Sequence, residues 1–121
     1  MKRGIKEKIL TQQAKVVVVG LGYVGLPLAV SFAKVGYEVL GLDLDKDRVA
    51  RLQKKESYIL DVTSEELETV VTSGRLVAST SFEEIKKADV IVICVPTPIK
   101  RKYTPDISYM VSAVQTIAKY I

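Results

Sequence analysis

Four consecutive valines at residues 16–19 run directly into Gly20-Leu21-Gly22-Tyr23-Val24-Gly25, and this junction confines the chain more than any other feature. A block of β-branched residues fits a pleated, buried strand. The glycines then permit a backbone that no other residue tolerates cheaply. Beyond them, Val24, Leu28, Phe32 and Val35 recur at helical spacing and stop at Gly36, a helix terminator. Pro27 falls in the first turn of that helix, where its missing N–H costs little. The reading is strand, glycine turn, helix.

Two further apolar runs, residues 39–42 and 90–95, do not alternate with polar residues. Continuous runs of this kind mean strands covered on both faces, as in a parallel sheet between helices. Residues 76–78 form a weaker, edge-like strand. Thr63 with Glu66, and Ser81 with Glu84, have capping-box spacing and predict two more helix starts. Ile107, Met110, Val111, Val114, Ile117, Ala118 and Ile121 repeat at three and four residues behind Asp106, predicting a capped helix with one apolar stripe. The fold class is therefore α/β: a Rossmann-type parallel sheet of order 3-2-1-4 with helices on both faces, ending after the helix that follows strand four.

Charge divides the chain. Five basic residues and one acid lie within the first 15 positions, leaving thirteen of each sign from residue 16 onward, so the net +4 belongs to the leader and the body is neutral. Residues 1–14 are expected to be a basic leader and 15–121 the folded domain. No aromatic residues interleave with the leader's charges, so nucleic acid is not an expected partner. Residues 16–33 are uncharged, yet three glycines and Pro27 interrupt them, which argues against a membrane span. One cysteine and no histidine leave no disulfide framework and no zinc set, and a cytoplasmic setting is expected.

The glycine pattern alone is a weak signal. Its context, a preceding strand, a following helix and Asp43 eighteen residues after Gly25 at the end of the next strand, turns it into a dinucleotide fingerprint. Gly20 permits the tight turn, Gly22 lets backbone amides approach a diphosphate, and Gly25 lets the helix pack closely on the strand. The helix N-terminus faces the phosphates. Asp43 accepts hydrogen bonds from the adenosine ribose, and its charge repels a 2′-phosphate, which favours NAD over NADP. Arg48 either lies against the adenosine or pairs with Asp45. The competing reading is a glycine turn in a flavodoxin-like domain, with Asp43 a solvated strand end.

Four segments together resemble the UDP-glucose/GDP-mannose dehydrogenase family from about Lys15 onward. They are Gly20-Leu21-Gly22-Tyr23-Val24-Gly25-Leu26-Pro27, Gly41-Leu42-Asp43-Leu44-Asp45, Ser57-Tyr58-Ile59, and Cys94-Val95-Pro96-Thr97-Pro98 followed by Pro105-Asp106-Ile107-Ser108-Tyr109. The last two look most like the branch acting on UDP-N-acetylated hexosamines, the UDP-N-acetylglucosamine and UDP-N-acetylmannosamine 6-dehydrogenases. The resemblance implies that Tyr23 and Val24 present backbone to the diphosphate, that Asp43 and Arg48 hold the adenosine side, and that Thr97 touches the cofactor from the loop after strand four. It implies a nucleotide-sugar 6-dehydrogenase oxidising the sugar C6 alcohol to a carboxylate in two NAD-dependent steps, with the catalytic cysteine and the substrate domain outside this chain. Cys94, inside an apolar strand, is expected to be a buried, inert thiol, and no catalytic or metal-binding residue is assigned.

Lys55 stands where the family often has glycine, so a different turn is expected there. Lys100-Arg101-Lys102 reads as a solvated loop. With no strand five supplied, the strand-four edge lies open and predicts self-association into a homo-oligomer. The alternative function is a free-standing NAD-sensing regulatory module without catalysis.

Overall fold

The computed structural model describes residues 4–95 and 108–120. In chain order the elements are α1 (Ile5–Leu10), β1 (Lys15–Val19), α2 (Gly25–Val35), β2 (Glu38–Leu42), α3 (Lys46–Gln53), α4 (Ser64–Thr72), β3 (Leu76–Ser79), a 3-10 helix (Phe82–Lys87), β4 (Val90–Ile93) and α5 (Ser108–Ala118). The four strands are parallel and ordered β3-β2-β1-β4, as the right-handed crossover rule requires.

Alternate residues of each strand serve different layers. Val16 and Val18 of β1, Val39 of β2, and Leu76 and Ala78 of β3 face α2 and α4, where Leu26, Ala29, Val30, Ala33, Leu67 and Val70 close the larger core. Burying Leu26 and Val30 contributes roughly 1.5–3 kcal/mol each. Val17, Val19 and Leu42 face the other way, against Ile85 of the 3-10 helix and Ile117 of α5. That second layer thins toward β3, where Val77 remains half exposed. Coverage on both faces therefore holds for β1, whereas β3 is covered on one face only.

Helix ends follow their local chemistry. Gly36 adopts φ 116° and ends α2, with the Tyr37 amide donating back to the Phe32 carbonyl. The Asp45 carboxylate caps α3 by accepting from the amides of Asp47 and Arg48, and the Thr63 hydroxyl caps α4 by accepting from Glu66 N–H at 3.1 Å. The Glu66 carboxylate does not complete the box. It meets Lys34 Nζ of α2 at 3.1 Å instead, tying the two helices together.

Two sequence expectations are corrected. Ser81 makes no side-chain cap, and the segment after it is a 3-10 helix, because only six residues separate Ser81 from the turn into β4. Along the apolar stripe of α5, Ile117 is buried against Val17, Val19 and Ile85, whereas Met110, Val111 and Val114 are exposed. Lys55 does not avoid a glycine-like conformation. It takes φ 64°, in the left-handed region, at a cost of roughly 1–2 kcal/mol relative to glycine.

Six residues of the basic leader form α1, which buries no side chain. Two contacts hold it to the body, Lys8 Nζ to the Asp89 carboxylate at 3.0 Å and the Tyr37 hydroxyl donating to the Ile9 carbonyl at 2.7 Å. The Lys15 backbone amide, and then Lys8, hold the Asp89 carboxyl below its usual range. Among the described residues, β4 pairs with β1 alone. Among those residues, no helix is long and apolar enough to cross a membrane.

Candidate dinucleotide site

β1 ends at Val19 and the backbone turns at Gly20, whose φ of 94° belongs to the left-handed half of conformational space. A Cβ there would sit 2.6 Å from the Cys94 carbonyl oxygen, so the turn passes hard against the end of β4. At Gly25 a Cβ would lie 1.7 Å from the Gly20 carbonyl oxygen, so strand end and helix start nearly touch. Gly22 differs. Among the described residues, the one atom within 4 Å of its absent Cβ is Arg48 Nη1 at 3.7 Å, the movable tip of a side chain.

The same turn leaves backbone donors unused. The hydrogen-bond ladder of α2 begins with Leu26 N–H to Gly22 O at 3.1 Å, and Val24, just ahead of the helix, offers no capping side chain. The amides of Gly22, Tyr23, Val24 and Gly25 meet no acceptor among the described residues. Unsatisfied donors at the positive end of a helix form a ready anion site. The Tyr23 and Val24 side chains project into solvent, leaving the backbone as the working surface.

Asp43 follows β2 and points back into this corner. Its Oδ2 accepts from Leu21 N–H at 2.9 Å, and its Oδ1 accepts from Asp45 N–H at 2.9 Å. Arg48 Nη1 reaches Oδ2 at 3.4 Å, while its Nε lies 3.7 Å from Asp45 Oδ2. A carboxylate offers about four lone-pair sites, so Asp43 retains acceptor capacity on Oδ1, and the long Arg48 contact can give way. Arg48 thus pairs with Asp45, as one of its two alternatives has it, and also reaches Asp43.

Gly20, Gly22, Tyr23, Val24, Gly25, Asp43 and Arg48 are brought to one place, at the carboxyl ends of β1 and β2, where open α/β sheets bind ligands. Thr97 lies outside the described residues, as do Lys100, Arg101, Lys102 and the Asp106 cap. Cys94 is half buried rather than buried, one position beyond β4, because that strand ends at Ile93. Burial pushes its thiol above the usual range, so it remains protonated.

Gly41 and Tyr58 carry no site role in the sequence reading, and Asp45 only that of an alternative partner for Arg48. Gly41 gives way to Leu21, whose Cδ2 would lie 2.9 Å from a Cβ there. Asp45 both caps α3 and holds Arg48. Tyr58 reaches across 37 positions to donate its hydroxyl to the Leu21 carbonyl, and Arg48 lies 5.8 Å above its ring. Its signal in the sequence was its place in Ser57-Tyr58-Ile59, one of the segments that carry the family resemblance. A groove of about 300 Å³ lined by Lys15, Glu38, Leu40, Arg75 and Val77 lies at the opposite, N-terminal end of the strands and takes no part in this corner. Among the described residues no cluster of His, Cys, Asp or Glu could hold a metal ion.

Sheet order, glycine corner, free amides and strand-end carboxylate together define a dinucleotide-binding domain of the doubly wound type. Residues 14–121 match the UDP-glucose/GDP-mannose dehydrogenase family, NAD binding domain, and the chain belongs to that family. It is 42% identical over 111 residues to a UDP-N-acetyl-D-mannosamine dehydrogenase of Methanococcus aeolicus, covering 88% of this chain and 25% of that protein. It is 38% identical over 107 residues to a UDP-N-acetyl-D-glucosamine 6-dehydrogenase of Pseudomonas aeruginosa, covering 88% and 24%. Among solved structures, a ternary complex of GDP-mannose dehydrogenase from the same species superposes with TM-score 0.84 at 30% identity, covering 88% of this chain and 25% of that one. UDP-D-ManNAc dehydrogenase from Pyrococcus horikoshii gives TM-score 0.83 at 33% identity, covering 88% and 26%. The chain thus spans about a quarter of the length of the relatives it matches.

Proposed function

We propose that the amides of Gly22, Tyr23, Val24 and Gly25 receive the diphosphate of NAD, that Asp43 accepts from the adenosine ribose, and that Arg48 lies along the adenosine. Gly20 shapes the turn, and Thr97 completes the contact from the loop after β4. The observation that carries this is the run of free amides beside a carboxylate already aimed at the same turn. When bound, NAD supplies a hydride acceptor; the residues of this chain bind and orient it, and none of them is assigned a proton or hydride step.

Asp43 and Asp45 share one cation, Arg48, so the corner keeps one net negative charge. A 2′-phosphate brought there would meet a repulsion of about 4 kcal/mol per unit charge pair at 4 Å and an effective dielectric of 20, reduced where the corner is solvated. Titration calorimetry of the chain should therefore show NAD binding, with NADP weaker by roughly tenfold or more. Equal affinity, or none for either, contradicts the assignment.

For the protein as a whole we propose a cytoplasmic nucleotide-sugar 6-dehydrogenase that takes a UDP-N-acetylhexosamine, or a UDP-hexose, to the uronate in two NAD-dependent steps. The names of its relatives support this reading. No observation favours the non-catalytic sensing alternative. Residues 1–14 are proposed as a leader and 15–121 as the NAD-binding domain. The outer edge of β4 is proposed as a contact between copies of the chain, which a monodisperse monomer in light scattering at micromolar concentration would contradict.

A further inference from the structure

We propose that Tyr58 is a positioning residue of the cofactor corner, its hydroxyl keeping the Gly25 amide free for phosphate and its ring keeping Arg48 against Asp43; the inference rests on the corner being the dinucleotide site.

The Leu21 carbonyl stands four residues before Gly25, where an α-helix would find the acceptor for the Gly25 amide. The ladder of α2 starts one rung later, at the Gly22 carbonyl. Tyr58 occupies the Leu21 carbonyl instead. The Leu21 amide is held by Asp43 at 2.9 Å, and the Leu21 side chain is fully buried against Gly41. Leu21 is thereby fixed at its amide, its side chain and its carbonyl. The peptide joining it to Gly22 is held in one orientation, and the amides of Gly22, Tyr23, Val24 and Gly25 meet no acceptor among the described residues.

The ring acts on the cation. Arg48 Cζ lies 5.8 Å from its centroid, within cation–π range, while the guanidinium bridges Asp43 and Asp45. Tyr58 is itself carried rigidly. The Ser57 hydroxyl donates to the Val62 carbonyl and accepts from the Ile59 amide, and the side chains of Ile59 and Val62 are buried in the larger core. Burial pushes the phenol above its usual range, and the charges of Asp43 and Asp45 add to this against the opposing effect of Arg48. The hydroxyl therefore remains a donor throughout the pH range in which NAD is handled.

Two substitutions separate the hydroxyl from the ring. Tyr58→Phe removes one hydrogen bond and keeps the ring; calorimetry should give NAD binding roughly two- to tenfold weaker, with the NADP-to-NAD affinity ratio unchanged. Tyr58→Leu removes both, and the ratio should move roughly two- to fivefold further toward NAD as Arg48 leaves Asp43 and no longer offsets its charge. A side chain that merely fills space would lower the melting temperature in both variants and leave the ratio at its wild-type value, and that result overturns the proposal. Wild-type affinity in Tyr58→Phe overturns it as well, and this arm decides alone if Tyr58→Leu does not fold. Failure of the wild-type chain to bind NAD sinks the underlying reading of the corner, whereas wild-type binding with an indifferent Tyr58 sinks only this inference.

Discussion

Gly25→Ala should abolish measurable NAD binding and destabilise the chain by roughly 3 kcal/mol or more, at the upper end of overpacking costs. The added Cβ would fall 1.7 Å from the Gly20 carbonyl oxygen, 2.8 Å from its carbon and 3.2 Å from Cys94 Cβ. Two of these neighbours are backbone, so no rotamer change relieves the clash. α2 must retreat from the end of β1 by more than an ångström. That movement withdraws Leu26, Ala29, Val30 and Ala33 from their seats and separates the free amides from Asp43. Misplacement on this scale costs about a hundredfold where geometry governs function. Gly74→Ala is the matched control. Gly74 also has positive φ, 78°, but nothing lies within 4 Å of its absent Cβ, so a loss of about 1 kcal/mol with unchanged NAD affinity is expected. Urea denaturation and calorimetry on the two variants separate overpacking from backbone strain. Wild-type stability in Gly25→Ala would contradict the packing argument.

Replacing Asp43 with Asn should weaken NAD about 10- to 100-fold, the range for a hydrogen bond to a charged acceptor, and should also relax nucleotide choice. The carboxylate bridges Leu21 and Asp45 through their amides, and its side chain is 11% exposed, so it is both structural and available to a ligand. Asn preserves the shape but turns one oxygen into a donor, which faces either an amide or Arg48 with the wrong polarity. The local charge of Asp43, Asp45 and Arg48 rises from minus one to zero. The preference for NAD over NADP should shrink by roughly 2 kcal/mol, or about thirtyfold, as the repulsion of the 2′-phosphate goes. Affinities of the variant for both nucleotides check this. An unchanged ratio would mean that the carboxylate does not face the ribose.

Local signals carried most of the fold. The valine run, Gly36 and Thr63 each act within a few residues, and each behaves as its chemistry requires. The errors share the opposite property. Whether Ser81 begins an α-helix depends on how soon β4 must start, and whether Cys94 is buried depends on what packs above it. Neither distance nor neighbour is written in a periodicity. Within the site, the glycines and Asp43 were legible because the motif has fixed spacing. Tyr58 was not, because its partner Leu21 lies 37 positions away and is met only after α3 has folded back on the sheet. Lys55 shows the limit of reading turns from composition, since a lysine there takes the conformation that glycine would adopt freely.

Amide resonances during a titration of the ¹⁵N-labelled chain with NAD test the central claim most directly. The account predicts that Gly22, Tyr23, Val24 and Gly25 shift first and farthest, followed by Leu21 and Asp45, while Lys15 and Arg75 at the far end of the strands stay still. Stationary glycine amides, with the strongest shifts around Lys15 and Arg75, would contradict it.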